Sequence, residues 1–447
     1  MLPSRGKLPV VGLLLLAAVA VPRAGAQKQL APLNELKEGH AKAFTLVEKF
    51  ITGQQAPTAA DKEFMEAEAK YLVYRFSCGG DLGQYQSDIK NWIIKVELPA
   101  NRKTNGPFIR MMSPILVKAC RELLDQDFLE SRHAIINFAP MLAQLAKLRD
   151  EAIAEYLVEL LADHEAAKGK LTNKHDVIKM YAAKALREYF PIAVVSEDDE
   201  VLTDAQTRRK AREIKHIEAL IKFIDRPAPK RKLDKEEEEA IRFLRREAIE
   251  TLARAEAPSV LAGKKQVEAP VAPILLRVLS PNGGIEPTPG LAERVEAAIG
   301  ICQIKYAKVP EYQPQLGVYL VGVLIEDLAK AYNKDLVEIL GAGKKAPAMY
   351  WRVSAKRLDL AVKDMVVNAK GQPVETNVKK LSEGAAPILE RMLSAAAKQP
   401  GAVDQTVLFN FGKMVNTMKP PANTVFKNVS TYKIELNEGP QEKPAPP

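Results

Sequence analysis

The sequence predicts an all-α fold, and three observations carry that prediction. Apolar residues recur at spacings of three and four along most of the chain, the period of one helix face. Prolines outnumber glycines, 30 to 24, and many stand at the front of apolar stretches, where a helix loses no hydrogen bond to them. Strand-like composition is confined to Thr424–Leu436. The chain of 447 residues is 47% hydrophobic and 27% charged, with a net charge of +9 and three cysteines. That profile excludes a disulfide scaffold, a collagen and a wholly disordered chain.

The first 26 residues read as a signal peptide: a basic start at Arg5 and Lys7, an apolar run from Leu8 to Val21, and small residues at Ala24 and Ala26. Cleavage after Ala26 is expected to leave a mature chain of 421 residues carrying +6, since Arg5, Lys7 and Arg23 leave with the leader. The longest apolar run beyond it, Leu316–Ile325, has ten residues, too few for the roughly 20 that span a bilayer. An exported protein is expected, periplasmic in a bacterium and secreted otherwise. Periodicity then predicts helices over 33–51, 59–76, 113–125, 128–148, 150–163, 174–189, 203–224, 235–255, 270–279, 290–306, 313–332, 349–365, 383–398 and 403–418. No helix is predicted between 76 and 113. Cys120 and Cys302 fall inside helical patterns, as buried thiols do. Cys78 lies apart from both, and spacing does not decide whether any two of the three are bridged.

Two faces echo along the chain. A small-plus-large face occurs at Ala182, Ala183, Ala185 and Leu186, at Ala248, Ile249 and Leu252, at Ala297, Ala298 and Ile301, and at Ala355, Leu358 and Val362. Alanine lets two helices approach while the larger residue fills the groove, and a basic residue (Lys179, Arg246, Arg294, Arg352) precedes each. The second echo is Pro114-Ile115-Leu116-Val117-Lys118, Pro273-Ile274-Leu275-Leu276-Arg277 and Pro387-Ile388-Leu389-Glu390-Arg391, in which proline is expected to open the helix.

This pairing resembles HEAT-type helical repeats, most closely over Val271–Cys302. The resemblance implies an irregular α-solenoid of stacked hairpins, a fold of binding surfaces and scaffolds without a shared reaction. The implied division is a signal peptide over 1–26, an N-terminal helical region over 27–110, a HEAT-like region over 111–420, and a strand-like segment with a Pro-rich disordered tail over 421–447. The intervals between small-plus-large faces are irregular and long for the family. Ser280-Pro281-Asn282-Gly283-Gly284 also stands where the family has an Asp-containing turn.

Catalytic patterns are incomplete. Gly341-Ala342-Gly343-Lys344-Lys345 lacks the first glycine and the hydroxyl of a phosphate-binding loop, and His164-Glu165 lacks the second histidine of a zinc-hydrolase helix. Asp163, His164, His175 and Asp176 are spread across a glycine-containing gap that fixes no metal geometry. Ser87-Asp88-Ile89-Lys90 and Ser430-Thr431-Tyr432-Lys433 have serine-lysine spacing without the partner motifs. No cofactor or metal is implied. Charge is the remaining signal: Thr207–Lys232 holds ten basic and three acidic residues. Arg208, Arg209, Lys210, Arg212, Lys230, Arg231 and Lys232 form a candidate polyanion or partner-binding patch, weighed against neutralisation by the acidic flanks Glu197–Glu200 and Asp234–Glu239. The expected function is a non-catalytic exported scaffold binding another protein or a cell-envelope polymer, with no intracellular nucleic acid. The alternative is an exported enzyme with a site around 76–108, where Gly79, Gly80, Tyr85 and Trp92 depart from the repeat pattern.

Overall fold

The computed structural model describes residues 30–125, 132–162, 176–191, 204–228, 230–260, 269–306, 309, 311–341, 349–394, 401–427 and 429–436. The expected leader and Pro-rich tail lie outside them. Sixteen α-helices stand among the described residues: α1 (Leu33–Ile51), α2 (Lys62–Tyr74), α3 (Leu82–Glu97), α4 (Pro99–Arg102), α5 (Gly106–Asp125), α6 (Arg132–Leu145), α7 (Glu151–Leu161), α8 (Asp176–Ala185), α9 (Asp204–Ile224), α10 (Lys235–Ala253), α11 (Val271–Leu279), α12 (Leu291–Gln303), α13 (Gln315–Gly341), α14 (Met349–Asn368), α15 (Glu375–Ser394) and α16 (Gln405–Asn416). The all-α reading stands. The described sheet is one antiparallel pair, β1 (Ser259–Val260) with β2 (Ala269–Pro270), Ser259 opposite Pro270. No described helix is long and apolar enough to cross a membrane.

Helix starts follow their caps. Asp81, Asp150, Asp234 and Asp404 each accept a backbone N–H in the first turn of α3, α7, α10 and α16. At α10 the Glu237 carboxylate returns the bond to the Asp234 N–H, closing a reciprocal box.

Three expectations are corrected. Pro114 and Pro387 do not open helices but lie inside α5 and α15, which begin at Gly106 and Glu375. Phe108 and Met112 before the first proline, and Val378, Leu381 and Ala385 before the second, are buried. At about 1.5–3 kcal/mol for each large buried side chain, extending the helix outweighs the roughly 3 kcal/mol that an interior proline costs. The stretch after residue 76 is helical too: α3 buries Leu82, Tyr85, Ile89, Trp92, Ile93 and Val96 along one face. Interleaved Gln, Ser, Asp and Asn weaken that pattern in sequence, and packing on α6 completes it. The strand-like end is reduced to isolated antiparallel bridges, Thr424 with Lys433 and Phe426 with Tyr312.

The helices pack in two rows. α3, α6, α8, α10, α12 and α14 follow one another in the first, and α2, α5, α7, α9, α11 and α13 in the second. α7 with α8, α9 with α10 and α11 with α12 join the rows, α1 covers α2, and α15 and α16 pack on α13. Ala182, Ala248, Ala297, Ala298 and Ala355 are fully buried between neighbours of the first row. At Gly300 the helices approach closely: a Cβ there would stand 2.8 Å from Ala253 Cα on α10 and 2.9 Å from Leu275 on α11. Cys120 and Cys302 are buried thiols, and Cys78 is a half-buried thiol whose Sγ donates to the Ala31 carbonyl at 3.3 Å.

Candidate functional site

Three successive helices of the first row turn charged and apolar stripes to one side. On α14 Tyr350, Val353, Arg357, Leu360 and Asp364 recur at three and four residues, the repeat of a single helix face. On α12 the stripe is Glu296, Ile299 and Gln303, and on α10 it runs through Arg246, Glu250 and Ala253. A cleft of about 440 Å³ lies between them, lined by Glu250, Glu296, Ile299, Arg357, Leu360 and Asp364 among others. Phe243, Tyr350, Val353 and Leu360 are exposed although large and apolar.

Part of the charge on this face is tied up in pairs. Arg357 grips Glu296 through both nitrogens of its fork, at 2.5 and 2.6 Å. Arg187, after α8, reaches Glu247 at 2.8 Å and Glu250 at 2.9 Å, and its Nε donates to Thr251 Oγ1. Arg246 stands over the Phe243 ring at 5.3 Å. Arg357–Glu296 is the bidentate pair of this face, and its fork geometry fixes how α14 meets α12.

Phe190 and Pro191 separate this cleft from a second one of about 390 Å³ between α7 and α9. Arg149, Arg209, Arg212, Glu151, Glu188, Glu213, Tyr189 and His216 line it, and every guanidinium has a carboxylate: Arg149 with Glu188, Arg209 with Glu213, Arg212 with Glu151. His216 is buried against Tyr189, and burial, reinforced by Arg212 and Lys215, pushes its imidazole down to about 4. At neutral pH it is uncharged.

The seven basic residues expected to act as one patch divide. Arg208, Arg209, Lys210 and Arg212 belong to the first half of α9, whereas Lys230, Arg231 and Lys232 lie past its end. The twelve residues from Arg212 to Ile224 alone rise about 18 Å. Arg208 is exposed, Lys210 is buried beside Glu213 at 3.3 Å, and Arg209 and Arg212 line the second cleft. Arg231 lines a third, separate cleft and pairs with Glu237, whose carboxyl it holds down at about 2 with help from the Asp234 N–H. Lys230 and Lys232 are exposed.

Gly79 and Gly80 form a left-handed turn with φ of 70° and 85°, and Tyr85 and Trp92 sit on the buried face of α3. Gly341 ends α13, and Ala342–Lys345, Asp163, His164 and His175 lie outside the described residues. Among the described residues no group of three His, Cys, Asp or Glu side chains could hold a metal ion. No family model, no curated protein and no solved structure matches the chain.

Sequence reading missed the α10, α12 and α14 face. Its signal was present in the small-plus-large faces, all four of which fall on helices of this row: Ala182 on α8, Ala248 on α10, Ala297 on α12 and Ala355 on α14. The alanines mark the packed side, and the stripe about 100° or more around each helix is the open one.

Proposed function

We propose that the chain is an exported, non-catalytic helical scaffold of the HEAT-like kind, which holds another macromolecule against the α10, α12 and α14 face. The observation that carries this reading is the succession of helices in two rows. Stacked hairpins place like helices side by side, and a row of them offers a broad ordered surface instead of one deep pocket. Exposed Phe243, Tyr350, Val353 and Leu360 supply the apolar contacts, and Arg187 and Arg357 are already paired with Glu247, Glu250 and Glu296. That mixture suits a folded protein or protein segment better than a polyanion, which needs unpaired cations. The leader-like pattern of residues 1–26 supports a position in the cell envelope or outside the cell.

Site-specific photocrosslinking tests the reading. A photoreactive residue at Leu360 or Val353 should give a discrete adduct in envelope extracts, and the same residue at Phe64 or Phe409, exposed on α2 and α16, should not. Equal labelling from both groups of positions, or none from either, would overturn the assignment of this face.

A further inference from the structure

Arg75, at the end of α2, and Arg245, on α10, are among the largest fully buried side chains, 2% and 1% exposed. They are treated differently. Arg245 presents its side-on edge, Nε and Nη2, to Glu293, at 2.5 and 3.2 Å. Arg75 spends only Nη1, which donates to Asp88 Oδ2 at 2.7 Å. Its Nε and Nη2 have no hydrogen-bond partner among the described residues and are closed off from solvent. Those two N–H groups are parallel and form the edge that fits the two oxygens of a carboxylate. A buried guanidinium with that edge unmatched forgoes two strong bonds and keeps the desolvation cost.

Aromatic rings flank the guanidinium. Tyr71 and Tyr85 stand against the Arg75 guanidinium carbon at 4.0 and 4.7 Å, and His40, bonded to Glu68 at 2.5 Å, stacks on Tyr71 at 4.0 Å. Asp88 offers only partial neutralisation: its other oxygen accepts from Gln84, and its side chain is 32% exposed, so water screens it. Asp88 beside the guanidinium repels any anion, and a doubly charged phosphate more strongly than a monocarboxylate. The Gly79-Gly80 turn covers this end of α3, with Gly80 close enough that a Cβ would stand 3.0 Å from Tyr85 Oη.

We propose that the Nε and Nη2 edge of Arg75 is a binding site for a single carboxylate, from a small organic acid or from the free end of a peptide chain. The site is independent of the α10, α12 and α14 face.

Calorimetric titration of the mature protein with sodium acetate, against sodium chloride at equal ionic strength, tests it. Acetate should give a saturable heat and chloride none. A short peptide with a free carboxyl end, compared with its amide, distinguishes the sources: tighter binding of the acid form than of acetate assigns the site to a chain end, and acetate binding alone assigns it to small acids. Arg75→Lys, which keeps the charge and loses the fork, should weaken binding at least tenfold, and Asp88→Asn should tighten it several-fold by removing the competing charge. If Arg75→Lys does not fold, transfer of magnetisation from labelled acetate to the Tyr71 and Tyr85 ring protons locates the ligand in the wild-type chain. Identical heats for acetate and chloride, or bound acetate remote from both rings, would overturn the proposal.

Discussion

Replacing Arg245 by methionine should cost more stability than any surface change in this chain. Methionine keeps the apolar stem and removes the charge. It would leave Glu293, 2% exposed by its side chain, with the Gly290 N–H at 2.8 Å as its remaining short bond, and would strand the Glu286 and Pro287 carbonyls that Arg245 also serves. Breaking a buried pair from one side costs about 3–5 kcal/mol. The sign of the pH dependence follows from Glu293. Burial already pushes its carboxyl above the ordinary value, with Arg245 pulling it back. Without the arginine the folded state binds that proton still more tightly than the unfolded state does, so the variant regains stability as pH falls toward the unfolded value near 4.5. Urea unfolding followed by circular dichroism should therefore show a large loss at pH 7 and a smaller one at pH 5. Removing both charges, Arg245→Met with Glu293→Leu, should restore much of the difference. A loss under about 1 kcal/mol for the single variant, or a double variant weaker than the single, would refute the account of this pair.

Wild-type stability should also fall as pH drops from about 6.5 to 4, by up to about 3 kcal/mol, because the unfolded chain protonates His216 in that window and the folded chain, with the group at about 4, does not; His216→Phe should flatten that part of a pH series of urea midpoints. Gly300→Ala should destabilise by about 1–2 kcal/mol, since backbone on α10 stands in the way, while Gly341→Ala, with nothing within 4 Å, should be neutral or slightly stabilising in the same thermal scan. Arg209→Ser with Arg212→Ser should cost about 0.2–1 kcal/mol per exposed pair and leave retention on heparin nearly unchanged; a steep salt-dependent loss of retention with unaltered melting would restore the polyanion reading of α9.

What could be read from the sequence was the part that depends on spacing alone. α1, α7, α9 and α10 are found almost where apolar periodicity puts them, because their apolar residues recur along one buried face, even where α9 and α10 also bury Lys210, Glu213, His216 and Arg245. α3 was not legible, since its core face carries tyrosine and tryptophan and its flanks carry glycine and amides, so the pattern emerges only against α6. Proline misled at α5 and α15 because local preference favours a first-turn position while the buried residues upstream decide otherwise. The basic run around 207–232 is continuous in sequence, yet the rise of α9 separates its ends, and Glu151 on α7 reaches Arg212 from far along the chain. Arg75 follows Glu68 and Tyr71 at helical spacing, but nothing local says that α1 and α3 will close over that side of α2.

Ion pairs between neighbouring helices explain how an irregular sequence can keep a regular order of packing. Apolar faces are non-directional and allow one helix to slide on another, whereas a fork-to-carboxylate bond is lost within a fraction of a helical turn. In the second row Arg121 of α5 meets Glu159 of α7, Glu151 of α7 meets Arg212 of α9, and Asp225 after α9 meets Arg277 of α11. α12 is tied in three directions. Glu293 bonds Arg245 of α10, Arg294 bonds Asp327 of α13 and the last carbonyl of α11, and Glu296 bonds Arg357 of α14. Each residue turns a helix by about 100°, so positions 293, 294 and 296 point to three different sides. A helix buried on all those sides would ordinarily be apolar all round; here each charge bonds a different neighbour. The open face of α10, α12 and α14 inherits its geometry from those bonds, since Glu296 and Arg357 belong both to the register and to the cleft.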